Sequence, residues 1–219
     1  MTQQGNEEMK GKARERKRAR MLVAAQTLGR VFNPAYYPLM GFFILFTCTY
    51  LSQLPWALNL MFLAVVYVFT VLLPRLGVYA YRLLARLTRR ELLLRHHRIV
   101  SYGLHIFFYG LLLHCLRTVR IPTFMGDIIV ISLLLQVLCT VVTPWWKVSV
   151  HAAGAGAVVG ALVAYSAIFH FNPVGWLCLA ILVCGLVGSS RMLLLRHTLG
   201  EVTGGTLIGI GCGLTGLWL

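Results

Sequence analysis

The feature that most limits this chain is a series of seven apolar stretches, at about residues 35–53, 56–74, 99–116, 124–143, 148–168, 174–190 and 202–218. Each approaches the ~20 residues an α-helix needs to cross the hydrocarbon core of a bilayer, the last two being short. Inside a bilayer every backbone polar group must be bonded internally, so such segments are helices. The chain is 58% hydrophobic and only 12% charged, with mean hydropathy +0.78. A soluble domain of 219 residues needs far more polar surface. The expected fold is all-α: a polytopic transmembrane helix bundle of about seven spans, with no separate soluble domain.

The corners between the stretches divide the chain. Residues 1–34 form a basic tail carrying Lys10, Lys12, Arg14, Arg16, Lys17, Arg18, Arg20 and Arg30, with 21–32 patterned for a short interfacial helix. This tail is too long for a cleavable signal peptide. It suits anionic lipid, worth ~1 kcal/mol per basic residue near the surface, rather than nucleic acid. Residues 35–98 hold two spans, entered at Asn33-Pro34, turned at Gln53-Leu54-Pro55 and ended at Pro74-Arg75. An Arg-rich loop follows, whose Tyr79, Leu83, Leu84, Leu87 and Leu94 predict an amphipathic helix lying on the membrane. Residues 99–219 hold the other five spans, with Trp145 and Trp146 placed as interface anchors.

Charge distribution orients the bundle. With the N-terminus inside, all 20 Lys and Arg except Arg117 and Arg120 fall on the inner face. The same parity puts the 75–98 loop, the 144–147 corner and the 191–201 corner on one side. The six Cys lie in or beside apolar stretches without a CxxC pair, so neither a disulfide framework nor a zinc site is expected.

Two corners concentrate chemistry. One reads Ser190-Arg191, five residues, His197, three residues, Glu201. On a helix His197 and Glu201, four apart, share a face, and a carboxylate there fixes the tautomer of an imidazole and raises its basicity. The other reads Lys147-Val148-Ser149-Val150-His151 at a helix start. Two imidazoles, several cations and one orienting acid suit phosphoryl transfer. His105, His114 and His170 lack such company and read as structural; Asp127 reads as a partner of Arg120.

These motifs resemble those of the type 2 phosphatidic-acid phosphatase superfamily of membrane lipid phosphatases, in its divergent bacterial branch. That family's third motif is Ser-Arg, five residues, His, three residues, Asp, and its second is Pro-Ser-Gly-His. The likeness covers 99–219; Glu201 stands for the Asp and Val150 for the Gly. The family's first motif, Lys, six residues, Arg-Pro, has no counterpart at that spacing, and Lys147 with Arg95 or Arg98 is expected to replace it. The resemblance implies that His197 attacks phosphorus, Glu201 holds its other nitrogen and His151 protonates the leaving oxygen. Arg191, Ser149 and Ser190 would grip the phosphate. It implies no metal or other cofactor, and a place in a bacterial inner membrane; the charge count above puts the N-terminus in the cytoplasm.

The function expected is hydrolysis of a lipid phosphate or polyprenyl diphosphate through a phosphohistidine. The alternatives are a lipid-binding or lipid-handling protein that has kept the fold without turnover, and a transporter. The partners expected are the membrane and a phospholipid or isoprenoid phosphate, with no nucleic acid. Glycines at 154, 156 and 160 and at 204, 205, 209, 211 and 213 serve internal packing or a homodimer equally well.

Overall fold

A computed structural model describes residues 3–86, 95–119, 121–170 and 172–217. Among these the secondary structure is helical, with no strand. Nine α-helices follow in order: α1 Gln3–Val31, α2 Tyr37–Cys48, α3 Trp56–Tyr67, α4 Leu73–Leu84, α5 Arg95–Thr118, α6 Thr123–Val142, α7 Val150–Phe169, α8 Val174–Leu193 and α9 Leu199–Leu214. Among the described residues five helical stretches are long and apolar enough to cross a membrane: Trp56–Leu84, Ile99–Thr118, Thr123–Val142, Val150–Phe169 and Val174–Leu193. The other two apolar helices, Pro34–Thr47 and Leu199–Leu214, are shorter. The outer faces of α3 and α8 expose Leu58, Leu60, Met61, Ile181, Leu182 and Leu186, an apolar belt suited to lipid.

Two boundaries differ from expectation. The first apolar helix stops at Cys48 rather than near 53. There Thr49 turns extended; its hydroxyl donates to the Leu45 carbonyl at 2.7 Å and accepts from the Leu51 N–H at 3.3 Å. These local bonds compete with the helix ladder and break it. The second stretch, in contrast, does not end at Pro74-Arg75. A π turn over Val68–Leu72 joins α3 to α4, and the Leu73 N–H reaches back to the Val68 carbonyl. Proline interrupts a helix by lacking an N–H and crowding the carbonyl four residues earlier. The wider turn just before Pro74 relieves both, so the helix continues to Leu84. Residues 75–84 therefore extend the membrane-length helix Trp56–Leu84 instead of forming a separate surface helix; Leu87 and Leu94 lie outside the described residues.

The tail is also more regular than a short interfacial helix at 21–32: α1 runs from Gln3 to Val31, about 44 Å at 1.5 Å per residue. Its later turns pack on α8, burying Ala25.

The bundle core has two parts. Phe42, Phe46, Leu112, Ile129 and Val66 fill the space between α2, α3, α5 and α6, with the Phe42 and Phe62 rings 5.0 Å apart. Ile131, Leu135, Cys139, Ala153 and Cys212 fill the space between α6, α7 and α9. The tightest contact joins α7 to α9. A Cβ on Gly156 would strike the Thr206 carbonyl, and one on Gly209 the Ala153 carbonyl, so backbones touch where side chains would normally stand. Glycine at both positions permits that approach. Gly156 and Gly160 of α7 and Gly205, Gly209 and Gly213 of α9 thus face the seam inside one chain, whereas Gly154 faces the Tyr37 ring, Gly204 faces Trp146 and Gly211 has nothing within 4 Å. The Tyr165 hydroxyl donates to the Phe124 carbonyl at 3.0 Å, placing the end of α7 beside the start of α6. The start of α7, the end of α8 and the start of α9 meet at the opposite end. There the Ser149 N–H donates to the Glu201 carbonyl at 3.2 Å. The expected partner of Asp127, Arg120, lies outside the described residues; Arg117 is the cation whose charge Asp127 feels.

Candidate active site

The 191–201 corner is built by two consecutive helix ends. Helix α8 closes with the Leu194 N–H on the Ser190 carbonyl and the Arg196 N–H on the Arg191 carbonyl, each at 3.1 Å. Leu195 takes the left-handed conformation, φ 51°, that such a closure requires. Glycine is the usual residue there, and Leu195 is 91% exposed, so nothing packs against its side chain to offset the strain.

Helix α9 then starts with a capping box. The Thr198 hydroxyl accepts from the Glu201 N–H at 3.4 Å, and Glu201 Oε2 accepts from the Thr198 N–H at 3.3 Å. The same oxygen lies 2.8 Å from His197 Nδ1. This bond assigns the proton to Nδ1 and leaves Nε2 with its lone pair. Burial is the main influence on the ring and holds its pKa below the ordinary 6.5. The Glu201 carboxylate and the Lys147 carbonyl act the other way, while the Lys147 ammonium adds to the lowering.

The 147–151 corner begins after the Trp145-Trp146 turn. Ser149 is fully buried, and its hydroxyl caps α7 by accepting from the Ala152 N–H at 3.4 Å. Lys147 Nζ donates to the Arg196 carbonyl at 3.1 Å, tying the two corners together. The Tyr37 hydroxyl donates to the His151 carbonyl at 3.0 Å, and Gly29 of α1 lies against the Arg191 guanidinium.

These corners wall a cavity of about 610 Å³, within the size range of small-molecule sites. His151, His197, Arg191, Arg196 and Lys147 line it from one side, and Asn33, Ser101, Tyr102, His105 and Gln136 from the others. Arg191 is only 4% exposed, its Nε has no hydrogen-bond partner, and among the described residues no carboxylate pairs with it. A buried unpaired guanidinium is costly. Among the described residues the Arg191 cation therefore lacks an anion, in a cavity that His151 and His197 also line.

Of the residues singled out by sequence, His151, His197, Arg191 and Lys147 line this cavity, and Glu201 stands behind His197. Ser149 and Ser190 lie at the same end of the bundle without lining it. The Ser190 hydroxyl donates to the Val187 carbonyl at 2.7 Å. Arg95 and Arg98 lie in the first turn of α5, next to Ser101 and Tyr102 of the cavity wall, but their side chains are outside the described part.

Sequence reasoning missed Arg196, His105, Gln136 and the end of α1. Ser101, His105 and Tyr109 recur every four residues on α5, a polar stripe in an apolar helix that could have flagged that wall. Nothing local marks Gly29. Among the described residues no three His, Cys, Asp or Glu side chains gather to bind a metal ion.

Comparison with known protein families, curated proteins and solved structures gives no match to this chain.

Proposed function

We propose that this protein is an integral membrane phosphatase that hydrolyses a lipid phosphate or a polyprenyl diphosphate, in the manner of the type 2 phosphatidic-acid phosphatases. The observation that carries the reading is the buried, unpaired Arg191 guanidinium lining one cavity with a carboxylate-oriented His197 and with His151. A phosphate monoester supplies the missing anion, and a planar guanidinium binds two of its oxygens at once.

In this reading His197 Nε2 attacks phosphorus; the N–P bond forms as the P–O bond to the lipid breaks. His151 gives its proton to the departing oxygen, releasing the lipid alcohol from a monoester or the prenyl monophosphate from a diphosphate. Water then attacks the phosphohistidine while the now neutral His151 accepts its proton, and inorganic phosphate leaves with His197 restored. Arg191, Lys147 and Arg196 neutralise charge throughout, which is most of what phosphoryl transfer asks of a protein. Seven crossings, with the two shorter helices inserted, a cytoplasmic N-terminus and a bacterial inner membrane complete the reading. Cysteine accessibility at position 147 or 196 reports which face carries the site.

A second reading is a lipid-binding protein of the same architecture without turnover. It is favoured by Ser149 and Ser190, whose hydroxyls are engaged with their own helices rather than turned to the cavity. Phosphate release from phosphatidic acid, phosphatidylglycerophosphate and isoprenoid diphosphates, with chelator present, separates the two. Release that is abolished in His197→Ala and blocked by vanadate supports the phosphatase. Absence of release on every substrate supports the second reading.

A further inference from the structure

A narrow apolar slot leads from the cavity into the bundle. It lies between α2, α6 and α7 and measures about 70 Å³, against about 610 Å³ for the cavity itself. Pro34, Tyr109, Gln136 and Val150 line both spaces, so the two meet at that ring of residues. Gly41 and Leu45 of α2, Ile128 and Leu135 of α6, and Ala157 and Ala161 of α7 face the slot, each pair at the spacing of one helical face. From Val150 to Tyr165 along α7 it runs about 22 Å at 1.5 Å per residue. That is most of a hydrocarbon core about 30 Å thick. The hydroxyls of Tyr37, Thr49, Ser132 and Tyr165 border the slot, and each donates to a protein carbonyl at 2.7–3.0 Å. Their protons are spent inside the protein, so the wall they help to form is apolar in character.

We propose that this slot binds one unbranched fatty chain of a lipid phosphate whose head lies against Arg191. The inference rests on the phosphatase reading for the fate of the phosphate, but not for where the chain lies. The two spaces match the two halves of an amphiphile: Lys147, Arg191 and Arg196 line the wide end, and carbon lines the narrow one. A lipid chain already has apolar surroundings in the bilayer, so the slot gains little from hydrophobic transfer. What it adds is contact, because the walls of a dry gap lack partner atoms and a chain of matching width supplies them. Width also selects the chain. A Cβ on Gly41 would come within 3.2 Å of Ile128, so the slot is pinched there. A straight methylene chain passes the pinch, and an isoprenoid, with its repeated methyl branches, is too wide. Tyr165 closes the far end, with its hydroxyl on the Phe124 carbonyl and its ring stacked 5.9 Å from that of Phe169. A groove on the outer face of α2 shares Tyr37, Ile44 and Val158 with the slot and gives a chain a way in from the bilayer. Of the two substrate classes above, the slot thus selects the fatty lipid phosphate over the polyprenyl diphosphate. Helix α2 lies outside residues 99–219, so this selectivity belongs to a part of the chain that the resemblance does not cover.

The test uses the full chain in lipid nanodiscs and a hexadecyl phosphonate with a diazirine at the end of its chain. Its P–C bond resists hydrolysis, and the residues it labels under light are mapped by mass spectrometry. Label is expected at the deep end of the slot, on Leu45, Leu162 or Tyr165, and is lost in excess unlabelled hexadecyl phosphonate. The matching diazirine alcohol, which brings no anion to Arg191, is expected on the exposed Leu60, Ile181 and Leu186 instead. Gly41→Leu and Ala161→Leu fill the slot from different helices, and each is expected to shift the phosphonate label to Tyr109 and Gln136 at the mouth. A farnesyl phosphonate with the same terminal group is expected to leave the deep end unlabelled. Hexadecyl label confined to the lipid face overturns the proposal, as does deep label unchanged in both filled variants. Deep label from the farnesyl probe overturns the choice of an unbranched chain. The wild-type map decides even where neither filled variant folds. Deep label in a protein that releases no phosphate from hexadecyl phosphate removes the phosphatase reading and leaves the chain site standing; release without deep label does the reverse.

Discussion

Glu201 Oε2 holds His197 Nδ1 at 2.8 Å while accepting the Thr198 N–H at 3.3 Å, so one oxygen closes a helix cap and orients an imidazole. Glutamate, the preferred third residue of a capping box, is long enough to reach back to the cap. Glu201→Gln separates the two roles. Glutamine still closes the box, so thermal stability is expected to change by less than about 1 kcal/mol. The orienting charge is lost, and kcat is expected to fall about 10- to 100-fold.

The same pair sets a pH dependence. The folded-state pKa of His197 lies below its unfolded 6.5, chiefly through burial, with Glu201 partly offsetting the shift. The unfolded chain therefore binds the proton more readily. This contribution to stability is fully present above about pH 6.5 and is lost as pH falls from there toward the folded pKa. The nucleophile stays neutral through the same window, so the acid limb of the pH–rate profile is expected below pH 6.5. Removing the carboxylate in Glu201→Gln moves that limb lower still. A limb that moves up in the variant contradicts the assignment.

Arg191→Met offers a sharp contrast between stability and function. A buried cation without a counter-ion destabilises the fold it sits in, and an apolar side chain of similar length removes that cost. Melting in detergent is expected at the same or a higher temperature than wild type. Phosphate or vanadate affinity is expected to fall by about 10-fold or more, the worth of a charge-assisted bond.

Leu195→Gly relieves backbone strain. Leu195 adopts φ 51° with its side chain 91% exposed, so glycine removes the left-handed penalty and little packing. A gain of about 1 kcal/mol in unfolding free energy is expected. An unchanged or lowered stability would show that the exposed leucine makes a contact outside the chain.

Gly209→Ala tests the contact that brings the two corners together. Its Cβ would strike the Ala153 carbonyl, so α7 and α9 must part. A loss of about 1–3 kcal/mol is expected, as for overpacking elsewhere, together with lower activity. Gly211→Ala is the neutral partner, since a Cβ there meets nothing within 4 Å.

How much of this was legible beforehand differs by residue. The helix-start position of His151 is a local fact, but His197 precedes the Thr198 cap, so the capping box that folds Glu201 back, and not the shared helix face expected from their four-residue separation, brings those two together. Parity of crossings brings the 147–151 and 191–201 corners to one end without any tertiary knowledge. The glycine stripes announced a close helix contact, but periodicity carries no partner, so an internal seam and a dimer read alike. Pro74 misled because the π turn that accommodates it depends on the surrounding packing, with Thr70 and Val71 buried at its centre. The approach of α1 to Arg191 was invisible for a related reason: the missing Cβ at Gly29 that permits it says nothing of its partner. Arg196 sat in plain view between Ser190-Arg191 and His197, where charge alone read as topology.

The most direct measurement of the central claim is a rapid quench of the protein turning over a phosphate-labelled lipid substrate, followed by localisation of the label. The account requires an acid-labile, alkali-stable phosphoryl group on His197, absent in His197→Ala and accumulating when His151 is replaced and a leaving group needing no proton is used. Label found on another residue, or turnover that persists in His197→Ala, contradicts it.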